Sequence, residues 1–171
     1  ARRHLLNALR RRFASCSRMS RLGPSLLRLA VGTVFVAHGL MKLLPVPGGG
    51  VPETAALFES LAFQAPYAVA LSLGWVEAAG GVALVLGAYT GWTAFALLLT
   101  TVVTSWKLHL PNGLFLNWAL DPGAGHGYEF DLLLIGALLS LMVTGGGSLS
   151  VDGARQRAAE LEAAGLARLR R

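Results

Sequence analysis

The stretch PYAVALSLGWVEAAGGVALVLGAY, Pro66–Tyr89, runs for 24 residues with one charged side chain, Glu77. As a helix it would be about 36 Å long, enough to cross a hydrocarbon core of about 30 Å. A carboxylate near the middle of such a span is too deep to reach either surface. It must meet a partner inside the bundle, which makes Glu77 the leading candidate for a functional residue.

The rest of the chain is of the same kind. Of its 171 residues, 54% are hydrophobic and 14% charged, and the mean hydropathy is +0.55. These values exclude an ordinary soluble domain and indicate a small polytopic membrane protein. Apolar runs rich in Leu, Val and Ala, with no period-2 alternation, favour helices over a β-barrel. Four spans are predicted within residues 24–144: 24–44, 66–89, 91–108 and 128–144. The last is shortened by Glu129 and Asp131. The fold class expected is all-α, a four-helix transmembrane bundle with amphipathic cytoplasmic terminal segments.

The net charge of +6 does not indicate nucleic acid, because the arginines sit at the two ends. Arg2, Arg3, Arg10, Arg11, Arg12, Arg18 and Arg21 precede the first span; Arg155, Arg157, Arg168, Arg170 and Arg171 follow the last. The positive-inside rule then places both termini in the cytoplasm. Residues 1–23 read as a basic cytoplasmic arm, with Leu5, Leu6, Leu9 and Phe13 near one face, and residues 145–171 as a cytoplasmic tail. The arm is read as retained, since no small-residue cleavage site follows the next apolar span. Between the first two spans, Pro52 to Leu61 predicts a short interfacial helix. Cys16 is the single cysteine, so a disulfide, a Cys-x-x-Cys pair and a thiolate cage are excluded within this chain.

With this orientation the intramembrane polar groups can be placed by depth. His38, Lys42, Lys107, His109, Glu129 and Asp131 fall in the outer half, Glu77 near mid-depth and Arg28 near the inner boundary. Arg28, Gly32, Phe35, Gly39 and Lys42 follow at intervals of 4, 3, 4 and 3, which puts them on one helical stripe with His38 at its shoulder. Glycines on such a stripe admit another helix or a flat ligand. Glu129 and Asp131 also suit a helix N-terminus, and Lys42, Lys107 and His109 can reach an interface by snorkelling.

Two histidines at similar depth invite haem, but His38 and His109 lie about 9 Å and about 0 Å from their outer helix ends, a mismatch that disfavours axial ligation. No recognised ligand spacing supports a metal site. A quinone fits the residue types better, since it needs donors for its carbonyls, a proton route and an apolar slot. His38 or Lys42 would donate to a carbonyl, and Glu77 would relay protons. A lipid headgroup fits nearly as well.

The run Leu27 to Lys42, with its Arg28, Gly32, Phe35, His38-Gly39 and Lys42, resembles the opening signature of the DoxX family. Glu77-Ala78-Ala79-Gly80-Gly81 with Gly87 is similar to that family's second-helix motif. Gly127-Tyr128-Glu129-Phe130 and Thr144 to Asp152 are similar to its last helix and exit. The resemblance implies a bacterial or archaeal inner-membrane protein of four helices. It also implies association with redox complexes, since the family includes membrane subunits of thiosulfate:quinone oxidoreductase.

The function expected is therefore that of a membrane subunit of a redox complex, in contact with lipid and with protein partners, binding quinone in an outer-half pocket. Glu77 and His38 are the expected catalytic groups, with Arg28, Phe35, Gly39, Lys42, Lys107, His109 and Glu129 around the cofactor. Electrons would come from a partner, because the chain has no flavin or nucleotide fingerprint and no iron–sulfur cysteines. The alternatives are a structural or anchoring protein whose charges only hold helices together and, more remotely, a small-solute transporter.

Overall fold

The computed structural model describes the backbone of residues 2–169 and the side chains of residues 22–165. Among the described residues there are six α-helices and no strand: α1 (Arg2–Leu43), α2 (Val51–Ser60), α3 (Pro66–Leu86), α4 (Thr90–Thr104), α5 (Glu129–Thr144) and α6 (Val151–Leu169). A π-helical turn, Ser105–His109, and a 3-10 turn, Leu110–Asn112, prolong α4. Helices α1, α3, α4 and α5 pack in a ring, each against the next, with α2 lying across α3.

Three helical segments are long and apolar enough to cross a membrane: Leu22–Leu43, Pro66–Leu86 and Thr90–Asn112. The expected fourth span is a helix, α5, but its 16 residues reach only about 24 Å. Glu129 and Asp131 occupy its first turn, and Gly145 ends it with a positive φ of 71°. Many large apolar side chains point away from the core, among them Trp75, Leu86, Trp92, Leu99, Leu133 and Val143. Outward-facing apolar surface on this scale is suited to lipid.

The basic arm and the first span form a single helix, with Pro24 inside it. Proline removes the donor for the carbonyl four residues back, and here that carbonyl belongs to Ser20, just before the apolar segment that begins at Leu22. The amphipathic side chains expected on the arm lie outside the residues whose side chains are described.

The α1 stripe meets α3. A Cβ on Gly39 would stand 2.3 Å from the Ala78 backbone nitrogen, and one on Gly81 would stand 2.5 Å from that of Val36. Gly32 and Gly39 on α1 face Gly81 and Gly74–Ala78 on the antiparallel α3, so the two backbones approach with no side chain between them. Phe35, Val31, Leu84, Leu97, Leu138 and Leu141 fill the middle of the ring. A second cluster, Val51, Ala55, Phe58 and Ala70, fixes α2 on α3.

At one end the α3–α4 turn and the loop before α6 are stapled together. Gly87 closes α3 at φ 68°, and its Cβ position is taken by Ser150, so glycine is required there. Asp152 accepts the Tyr89 and Thr90 amides at 2.9 and 2.8 Å and the Thr90 hydroxyl at 2.8 Å. It thereby caps α4 from outside that helix. Burial opposes the Asp152 charge, but the Thr90 and Tyr89 hydrogen bonds and nearby Arg155 outweigh it and hold its pKa below the ordinary carboxylate value. A depressed folded-state pKa gives stability that is present above the unfolded value and is lost as pH falls through the folded one. Asp152→Asn keeps one acceptor oxygen and puts an NH2 in place of the other, so it is expected to cost about 1 kcal/mol for the hydrogen bonding lost. In thermal melts of the detergent-solubilised protein it should also flatten the acid-side decline in stability.

Candidate functional site

The opposite end of the ring holds a cavity of about 300 Å³ between α1, α2, α3, the extended end of α4 and the start of α5. Its walls are mostly apolar, including Phe35, Phe58, Leu108 and Leu134, and its polar groups come from every one of those elements except α5's later turns.

Two acid–base pairs line it. The Lys42 ammonium donates to Glu77 Oε2, joining α1 to the middle of α3. The Glu77 side chain is 6% exposed and that of Lys42 20%, so both charges are largely withdrawn from solvent and each supplies the other's principal compensation. On the far wall, His109 Nδ1 lies 2.5 Å from Asp131 Oδ2, with Asp131 buried. This contact orients the imidazole and leaves Nε2 as its other polar atom. His38, on the exposed shoulder of α1, has Nδ1 2.8 Å from the Val34 carbonyl. A carbonyl only accepts, so Nδ1 carries the proton. The His38 ring also stacks on Phe130 at 6.4 Å.

The residues expected at the site divide into two groups. Phe35, His38, Lys42, Glu77 and His109 all line the cavity. Gly39 does not, because the space a ligand would need beside it is filled by the α3 backbone. Lys107 points elsewhere, 5.6 Å from the Phe63 ring and 5.7 Å from that of Trp106. Glu129 holds the connection before α5, accepting the Leu116 amide at 3.3 Å. Arg28 lies at the other end of the bundle, buried, and donates to the carbonyls of Leu84, Val85, Gly146 and Leu149. These carbonyls close the end of α3 and the loop after α5, so the guanidinium acts as a shared helix cap.

Asp131 is the site residue that its chemistry alone did not reveal. Its signal is periodic: Asp131, Leu134, Leu138 and Leu141 stand 3, 4 and 3 apart, and Leu138 and Leu141 are core residues. The acid therefore lies on the buried stripe of α5, and Glu129 lies off it. Thr101 and Thr104 also line the cavity. The π turn, with its i→i+5 bonding, lets His109 reach the same space five residues beyond Thr104.

A ring of apolar helices with outward-facing hydrophobic side chains and ion pairs enclosed within it defines a multi-pass membrane protein. The family model described as DoxX matches residues 23–110, just over half the chain, and the protein belongs to the DoxX family. That region contains His38, Lys42, Glu77 and His109, whereas Asp131 and the Asp152 loop lie beyond it. No curated protein and no solved structure matches the chain.

Proposed function

We propose that the cavity receives a quinone headgroup and that the protein is the quinone-binding membrane subunit of a redox complex. The observation that carries this reading is the pairing of Lys42 with Glu77 and of His109 with Asp131 around one otherwise apolar space. About 300 Å³ is at the small end of ligand sites. It suits a ring headgroup whose tail leaves between exposed Met41, Leu57 and Phe130. A quinone supplies the two-electron acceptor, with the electrons coming from a partner protein.

The chain's own groups bind and move protons. Lys42 donates a hydrogen bond to one carbonyl position, and His109 Nε2 serves the other. Glu77 and Asp131 orient Lys42 and His109, and a proton given up to the reduced quinone is replaced from the surface, each carboxylate taking it up and passing it to its basic partner. His38, at the exposed edge, links the cavity to the surface. Both arginine-rich segments leave from the Arg28 end, since α1 enters the ring there and α5 delivers α6 to it. That end is accordingly assigned to the cytoplasm and the cavity to the outer half. The bacterial or archaeal inner membrane is the setting that this reading requires.

The test is co-purification in mild detergent from native membranes, with lipid and protein mass spectrometry. Near-stoichiometric quinone and a redox partner are expected. Glu77→Gln keeps an oxygen to accept from Lys42, so the protein should remain folded and monodisperse with a lowered melting temperature, and quinone retention should fall by roughly tenfold, as for a lost hydrogen bond to a charged group. Quinone present only at its bulk-lipid proportion would overturn the reading. Loss of the folded protein in Glu77→Gln would instead make the Lys42–Glu77 pair a strut, the role it has in an anchoring protein.

A further inference from the structure

The Arg28 end carries a second and larger cavity, about 600 Å³, between the Gly145-Gly146-Gly147 loop, the start of α4 and the first turns of α6. Its charged side chains are Asp152, Arg155, Arg157 and Glu160, which sum to zero. Asp152 is already committed to the Thr90 and Tyr89 amides. Arg155 rests on the Tyr89 ring at 5.0 Å, a contact that uses none of its N–H groups. Arg157 gives Nη1 to the Ser148 carbonyl at 3.0 Å, and its remaining donors have no acceptor among the described residues. Glu160, exposed and three residues further along α6, makes no hydrogen bond or ion pair among them. Two cations with donors to spare are thus followed by one open carboxylate, about 4.5 Å along the helix axis from Arg157.

An apolar groove begins where this cavity ends. Gly91 lines both, and from it Trp92, Phe95 and Met142 lead down between the first turn of α4 and the last of α5. Gly91 leaves the passage open, since a Cβ there would meet only the Met142 carbonyl, at 3.8 Å. Trp92 and Phe95 are exposed on the outside of the bundle. A charged, net-neutral cavity at the membrane boundary thus continues into a lipid-facing apolar channel.

We propose that this is a binding site for a zwitterionic phospholipid with a primary-amine headgroup, a phosphatidylethanolamine. Arg157 binds the phosphate, the ammonium donates to Glu160 one turn on along the same face of α6, Arg155 adds positive charge from the Tyr89 side of the cavity, and an acyl chain follows Trp92, Phe95 and Met142. The two-carbon link between phosphate and amine matches the offset of Glu160 from Arg157. A trimethylated choline headgroup cannot donate a hydrogen bond to Glu160, and an anionic glycerol headgroup offers that carboxylate only neutral hydroxyls, which bond it more weakly than an ammonium. The site is independent of the quinone reading, because it lies at the other end of the bundle and shares no residue with that cavity.

Native mass spectrometry of the full chain, delipidated and then titrated with phosphatidylethanolamine, phosphatidylcholine or phosphatidylglycerol of matched acyl chains, tests it. One phosphatidylethanolamine should be retained roughly tenfold more tightly than either competitor, the scale of a hydrogen bond between charged groups. Glu160→Gln should erase the preference over phosphatidylcholine, and Arg155→Ala with Arg157→Ala should reduce retention of all three lipids. Glu160 makes no polar contact among the described residues, so an unchanged thermal melt of Glu160→Gln is the accompanying control; Arg155→Lys, which keeps the charge, should retain most of the binding. Equal retention of the three lipids, tighter phosphatidylglycerol, or equal affinity for water-soluble phosphoethanolamine would each overturn the proposal.

Discussion

Arg28→Ala is expected to be the most damaging single substitution outside the candidate cavity. The side chain is 2% exposed and its guanidinium bonds four carbonyls from two different parts of the chain. Its removal leaves those carbonyls without donors in a buried, low-dielectric setting where water cannot readily replace them, and opens a void beside Gly87. Each buried unsatisfied group costs about 1–3 kcal/mol, so a total of about 3–5 kcal/mol is expected after partial relaxation. For a chain of this length that corresponds to a fall of roughly 10 °C in melting temperature. Arg28→Lys should recover little, because one ammonium cannot span acceptors on both sides as a planar guanidinium does. A melt within about 2 °C of the parent's would show that the four bonds contribute little net stability.

The second large effect is expected from Gly39→Val. Its Cβ would lie 2.3 Å from Ala78 N, 2.7 Å from Ala78 Cα and 2.7 Å from the Gly74 carbonyl. All three obstacles are backbone, so no rotamer change relieves the clash, and α1 and α3 must move apart. Overpacking of this kind costs about 1–3 kcal/mol. The displacement also draws Lys42, three residues on, away from Glu77. Gly39→Ala should have a smaller effect of the same sign, since the clash begins at Cβ. Gly23→Ala, with nothing within 4 Å of the added atom, is the matched control and should be close to neutral. Thermal melts of the three variants, with cross-linking yield between cysteines placed on α1 and α3, would measure both consequences.

Much of the architecture was legible because apolar length and helical periodicity are local properties. The stripe Arg28, Gly32, Phe35, Gly39, Lys42 was readable as one face, and the structure makes that face the α1–α3 seam. What the stripe meets was not readable, since glycine spacing suits a helix and a flat ligand equally; hence Gly39 belongs to packing. Depth and residue type singled out His38, Lys42, Glu77 and His109, and the structure sets all four on one cavity; all except the surface-facing His38 carry a group that an apolar setting forces inward. Depth also admitted Lys107 and Glu129, which point away. Rotation about the helix separates those cases, and on the extended end of α4 it depends on a π turn with no mark in composition. The fourth span, expected over 128–144 and shortened by Glu129 and Asp131, is found as α5, Glu129–Thr144, whose acidic first turn leaves it shorter than the three segments long enough to cross a membrane.

The α1–α3 seam has a mechanical consequence. Arg28 and Lys42 are 14 residues apart on the same stripe, about 21 Å along α1, and each is tied to α3 or its exit, with interlocked glycines between them. Two pins and a toothed contact remove both sliding and rolling, so these helices behave as a single plank. Under the proposed function, entry to the His109-end cavity is therefore expected beside the His38–Phe130 stack, where α5 meets α1, and not through the α1–α3 seam.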